Sequence, residues 1–184
     1  MVTVLPNPVG VVVHTQQFRV HATVHMRSGS STAWLMNTET RPFLSLTEVA
    51  MYRPSVGEQV QVTDLLYETR FAAVPKTHVN WLSGGAPDAD PDGFGRRPRR
   101  VFVMYPDYVL SGLLHMRPEL RLSDFLVTAM SDKPFQTLFD AAILEPGPVG
   151  TQVDAWNVLR REPFVTVNLR LAGGVFDSRG STNG

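Results

Sequence analysis

An internal repeat limits the folds open to this chain more than any other feature of its sequence. Val11–Arg27 lies on Val101–Arg117 at an offset of 90, with Phe18 against Tyr108 and an identical His-Met-Arg triplet, 25–27 and 115–117. Pro42, Phe43, Leu46, Ala50 and Pro54 then match Pro134, Phe135, Leu138, Ala142 and Pro146 at an offset of 92. Phe71–Val74 lies on Phe164–Val167 at an offset of 93. The blocks keep their order and the offset only rises, as tandem duplication with small insertions requires. The 184 residues therefore divide into two units, residues 1–82 and 101–176. Residues 83–100 form a Gly-, Pro-, Asp- and Arg-rich connection, read as a flexible linker, and residues 177–184 a disordered tail.

Within a unit the patterning is that of strands. Phe18, Val20, Ala22, Val24 and Met26 alternate with Arg19, His21, Thr23, His25 and Arg27, the period of two of a half-buried strand. Its copy places Tyr108, Leu110, Gly112, Leu114 and Met116 inward, while the outward set includes Val109 and Leu113. A strand apolar on both faces needs cover on both, so Val109 and Leu113 are interface candidates, under the other unit or at a subunit contact. Leu122, Phe125, Leu126 and Ala129 change the period to that of a short amphipathic helix; the first unit keeps only Trp34 and Leu35 there, enough for a single turn. Phe43–Arg53 and Phe135–Glu145 read as long strands, interrupted by Glu48 and Asp140 at matching places, which predicts a bulge or sharp bend. His78–Leu82 and Val175–Phe176 supply a fifth short strand to each unit.

Five short, bent strands and one helix per unit predict a mainly β protein: two tandem five-stranded barrel-like units packed as a pseudo-dimer, each curling to cover its own edges. The strand order resembles Sm-like and SH3-like small barrels. The string Arg121–Leu126, preceded by Gly112–His115 and followed by Pro134–Ala141, is similar to a short domain of uncharacterised bacterial proteins. In the first unit Ser31–Asn37 stands in place of the Arg-Leu-Ser-Asp string. The resemblance implies a fold and a repeat architecture, and no chemistry.

Seventeen basic and seventeen acidic side chains leave no net charge, which argues against a surface wholly given to nucleic acid or an anionic membrane. The absence of cysteine removes disulfide scaffolds, thiol catalysis and cysteine-based zinc sites. The start carries no secretory pattern, and cytoplasm is the expected location. Phosphate-loop, nucleophile-elbow, dinucleotide and zincin motifs are missing, so no catalytic residue, cofactor or metal site is expected. His21 and His25 share a strand face but lie roughly 13 Å apart by strand rise, too far to ligate one ion. Glu48 and Asp140 could form a carboxylate pair only if the units brought them together. Arg96, Arg97, Arg99 and Arg100 are the sharpest charge feature. The expected function is a non-enzymatic protein-binding or regulatory scaffold, with an unknown protein partner or a second copy joined through strand edges. The alternative is RNA or single-stranded DNA binding through Arg96–Arg100.

Overall fold

A computed structural model describes residues 6–38, 40–55, 62–148 and 151–177, leaving aside the side chains of Val62 and Asp154. The first half contributes β1 (Asn7–Thr15), β2 (Arg19–Met26), α1 (Thr32–Thr38), β3 (Phe43–Tyr52), β4 (Leu65–Pro75) and β5 (Val79–Gly84). The second repeats that order with β6 (Arg97–Met104), β7 (Val109–Met116), α2 (Leu122–Asp132), β8 (Phe135–Glu145), β9 (Asn157–Asn168) and β10 (Gly174–Asp177). Strand lengths follow the alternation: Val20, Ala22, Val24 and Met26 are buried on β2, and Leu110, Leu114 and Met116 on β7. Helix α1 is longer than a single turn; Ser31 Oγ caps it by accepting from the Trp34 N–H at 3.0 Å, satisfying one donor that a helix start leaves open.

The expected barrels do not form. The ten strands make one continuous open antiparallel sheet in the order β10-β6-β7-β8-β9-β5-β1-β2-β3-β4. The barrel expectation rested on each unit having to cover its own edges. The chain covers two of those four edges differently: β5 of the first half pairs with β9 of the second, through Trp81–Val167, Leu82–Thr166 and Ser83–Val165. Edge pairing between halves removes the need for either half to close on itself. Each half keeps its own core. One is built on Val13, Val20, Leu44 and Leu46, the other on Val103, Leu110, Leu138 and Ile143. They exchange one aromatic each: Trp81 lies in the second core and Phe135 in the first. Among the described residues no helix is long and apolar enough to cross a membrane.

The interruptions at Glu48 and Asp140 are bulges. The pairing register slips between His21–Ala50 and Thr23–Thr47, and again between Ser111–Ala142 and Leu113–Phe139. Both acidic residues sit in the left-handed region, at φ 49° and 46°. Strands β9, β5, β1 and β2 lie between β8 and β3, so the two carboxylates do not meet. A β-branched residue is disfavoured at such a φ. Glu48→Val is expected to lower unfolding stability by about 1–2 kcal/mol, while Glu48→Gly changes it by less than about 1 kcal/mol in urea titrations. Equal stability of the two variants would contradict a strained bulge.

Gly84 ends β5 at φ 77°, and a Cβ there would stand 2.6 Å from the Gly10 carbonyl oxygen. Only glycine permits β1 and β5 to run this close. Beyond it, Ala86 exchanges two hydrogen bonds with Thr32, which tie the chain leaving β5 to the start of α1.

Candidate functional site

The two halves meet at a seam built around β5. Every residue of β5 from Val79 to Ser83 is buried, because the strand has a neighbour on both sides and packing on both faces. Trp81 stacks on His14, with ring centroids 3.7 Å apart and planes 5° from parallel. Its Nε1 donates to Tyr108 Oη at 2.9 Å. Tyr105 Oη donates to the Asn80 carbonyl at 2.8 Å, and Asn168 Nδ2 donates to the Val79 carbonyl at 3.0 Å. On the far side of the seam, Asn37 on α1 presents its amide to the backbone of Phe135. Its Nδ2 donates to the carbonyl at 2.7 Å, and its Oδ1 accepts from the N–H at 3.0 Å. Arg160 Nη2 donates to Ser83 Oγ at 3.3 Å and pairs with Glu162.

The ionisable rings of the seam stay neutral although Arg19, Arg160 and Glu162 lie close by. Burial, with Arg19, Arg160 and His21 nearby, holds His14 well below its ordinary range, so the imidazole stays neutral. Burial raises the Tyr108 phenol to about 12, against the hydrogen bonds from Asn80 and Trp81. Burial, reinforced by Tyr108, also raises Tyr105 well above the usual phenol value. These groups act as neutral hydrogen-bonding partners, and the arrangement is that of an interface.

The strand equivalent to β9 in the first half is β4, and among the described residues its outer edge has no strand partner. Phe43 faces Pro75 as Phe135 faces Asn168, so Ala72, Ala73 and Val74 correspond to Val165, Thr166 and Val167. The three β9 residues are buried under β5, whereas Ala73 is exposed and Ala72 half-buried. Leu66, Tyr67 and Phe71 on the same strand are 46%, 62% and 58% exposed. Beside Val74 opens an apolar cavity of about 290 Å³, lined among others by Thr15, Phe18, Met51 and Leu171. Thr15, Phe18, Met51 and Val74 are the repeat counterparts of Tyr105, Tyr108, Ile143 and Val167, which share the second core with Trp81. By repeat position the cavity corresponds to the part of the second core that receives Trp81.

The residues singled out from sequence are placed elsewhere. Strand β5 runs to Gly84 and β6 begins at Arg97, so the connection between strands is 85–96, and three of the four arginines belong to a paired strand. Arg96 turns back on the connection, donating from Nε to the Gly93 carbonyl at 2.9 Å and from Nη2 to that of Asp90 at 2.8 Å. Arg99 pairs with Asp177 at 3.8 Å and Arg100 with Asp140 at 2.7 Å, while Arg97 is exposed. Val109 is buried with Phe102, Ala142 and Leu144, and Val153, Trp156 and Phe176 of its own half cover that cluster. Leu113 is half-buried, between Arg100 and Phe139 in register. His21 lies edge-on to Tyr52, and His25 Nε2 is 3.2 Å from Thr47 Oγ1. His115 Nδ1 is 2.9 Å from Asp92 Oδ1. No metal-holding group of three such side chains occurs among the described residues.

The sequence reading missed Trp81 and the β4 edge. One signal was present: β5 is apolar or small on both faces, through Val79, Leu82 and Trp81, and its copy has glycine, Gly174, at the tryptophan position. A repeat that breaks at its largest residue marks where the copies stop being equivalent. No protein-family model, curated protein or solved structure matches the chain.

Proposed function

We propose that the protein is a non-enzymatic binding module, a scaffold that receives an extended polypeptide segment along the outer edge of β4. The observation that carries this reading is the edge itself. Tyr67 and Phe71 are exposed on a strand that pairs with β3 on one side and, among the described residues, with no strand on the other; an apolar cavity opens at its Ala73–Pro75 end, and the matching edge in the second half is covered by β5. Open edges are ordinarily blunted by lysine, proline or inward charge. Phe71-Ala-Ala-Val74 carries none of these, and the blunting residues of β4, Glu68, Arg70 and Pro75, flank that stretch rather than interrupt it. Strand addition supplies main-chain hydrogen bonds for affinity and side-chain seats for specificity. The ion pairs of Arg99 and Arg100 with Asp177 and Asp140 support this reading over phosphate binding, since each offsets a charge that a nucleic acid would need.

A labelled synthetic peptide spanning residues 77–86, the β5 segment with Trp81 at its centre, tests the reading in fluorescence anisotropy. Saturable binding to the full chain is expected, abolished by Ala73→Arg. Absence of binding, or equal binding to the Ala73→Arg chain, would overturn it.

A further inference from the structure

We propose that the segment received at β4 is β10 of a second copy of this chain, so that copies join head to tail. The inference rests on the edge-binding reading above and adds the identity of the partner. Its basis is the seam. There a second-half strand, β9, meets a first-half strand, β5. Among the described residues the two strands with open edges are β4 and β10, the repeat equivalents of those same two. The chain therefore presents at its ends the two kinds of edge that it already joins in its middle.

The seam also dictates the register. Val13 faces Leu82 as Val103 faces Val175, so Gly174, Val175 and Phe176 stand for Trp81, Leu82 and Ser83. Transferring the seam pairs to the open edges sets Val74 opposite Gly174, Ala73 opposite Val175 and Ala72 opposite Phe176. Side chains at both ends differ from their seam counterparts in compatible ways. Met51 faces Tyr67 as Ile143 faces Arg160, so the Arg160–Ser83 hydrogen bond of the seam is replaced by Tyr67 of one copy against Phe176 of the next. A polar pair gives way to an aromatic pair, one member of which is now exposed.

The tryptophan seat follows the same logic. Gly174 has no side chain to place there. Met104, the counterpart of His14, is 40% exposed, and its sulfur lies 3.7 Å from where a Gly174 Cβ would be. In the assembly this unbranched side chain lies over the strand as His14 lies over Trp81, and it reaches toward the cavity beside Val74 of the neighbour. Methionine fits irregular gaps of this kind. The contact is heterologous, different surfaces meeting, so copies add until the rotation per chain closes a ring.

Complementary blocking variants of the full chain test this. Ala73→Arg with Tyr67→Asp obstructs the β4 edge at two exposed positions. Gly174→Lys obstructs the β10 edge, where nothing lies nearer than 3.7 Å to an added Cβ, so the fold tolerates it. In sedimentation velocity the unaltered chain should exceed its monomer mass of 20.4 kDa in a concentration-dependent way. Each blocked variant alone should be monomeric. An equimolar mixture should form a pair and stop there, because one good β4 meets one good β10; that restoration also shows that both variants are folded. Self-pairing of the Gly174→Lys chain would assign the edge to a symmetric β4–β4 contact and overturn the proposal. An unaltered chain that stays monomeric overturns it too. If the β5 peptide still binds that monomer, the edge serves another protein's strand and the binding reading stands; if it does not, both fall together.

Discussion

Trp81→Ala is expected to lower unfolding stability by about 3–5 kcal/mol, the cost of removing a fully buried large aromatic from a close-packed core. The ring is the first half's contribution to the second core. Its loss leaves Tyr108 Oη without its 2.9 Å donor and His14 without its stacking partner. Because the cavity opens at the seam, the damage goes beyond stability. The three register pairs joining β5 to β9 lose the side chain that holds them, and the halves should begin to unfold separately. Two measurements check this. Chemical denaturation should show the loss, with a broadened or split transition. Amide exchange should rise at Val165–Val167 before it rises in β2 or β7. Trp81→Phe keeps most of the volume and loses the hydrogen bond, so about 1–2 kcal/mol is expected. Phe71→Ala on the open edge should cost under about 0.5 kcal/mol in the dilute monomer. A loss below about 1 kcal/mol for Trp81→Ala would mean that the seam does not couple the halves.

The same contrast explains what could be read from the sequence. Local alternation reports which face of a strand is buried, and it located β2 and β7 and the cores they build. Glu48 and Asp140 interrupt the alternation at the same place in both copies, and both lie at bulges. Alternation does not report which strand lies alongside. The main-chain groups of β5 pair equally well with its own half's β4, closing a barrel, or with β9, and period two is the same in either case. The choice is made by non-local fits such as Trp81 among Tyr105, Tyr108 and Val167, whose partners are distant in sequence. The arginines show a related limit of composition. Gly- and Pro-rich composition reads the whole of 83–100 as a linker, whereas Arg97, Arg99 and Arg100 extend the strand of the apolar run Val101–Met104. Once they are in β6, period two sends Arg99 and Arg100 to opposite faces, toward Asp177 and Asp140 respectively. The histidines carried no sequence signal separating a surface ring such as His25 from His14, which lies under Trp81.

Acidification is expected to destabilise the protein, and His14→Phe is expected to remove most of that sensitivity. His14 has a folded pKa well below its ordinary 6.5, chiefly through burial and then through Arg19, Arg160 and His21. In the unfolded chain it takes up a proton near its ordinary value; in the folded chain it does so only at lower pH. The unfolded state therefore binds more protons at every pH between the two values. The stability contributed by the neutral ring is present above the unfolded pKa and is lost as pH falls toward the folded one. The slope is up to about 1.4 kcal/mol per pH unit for one such group. His21, held lower by burial, Arg19 and Arg160, adds a smaller part because it is only half-buried. Phenylalanine at position 14 keeps the stack on Trp81, carries no titrating group and removes a buried Nε2 that has no hydrogen-bond partner. The variant should match or exceed the parent near pH 7 and lose less stability between about pH 6.5 and about pH 5. Urea midpoints across that range measure both slopes. Parallel curves for parent and variant would place the acid response in other groups. Seam loosening on acidification should also appear as faster amide exchange in β5 of the parent alone, because a proton on His14 would sit against Trp81 with three basic side chains around it and no carboxylate of its own.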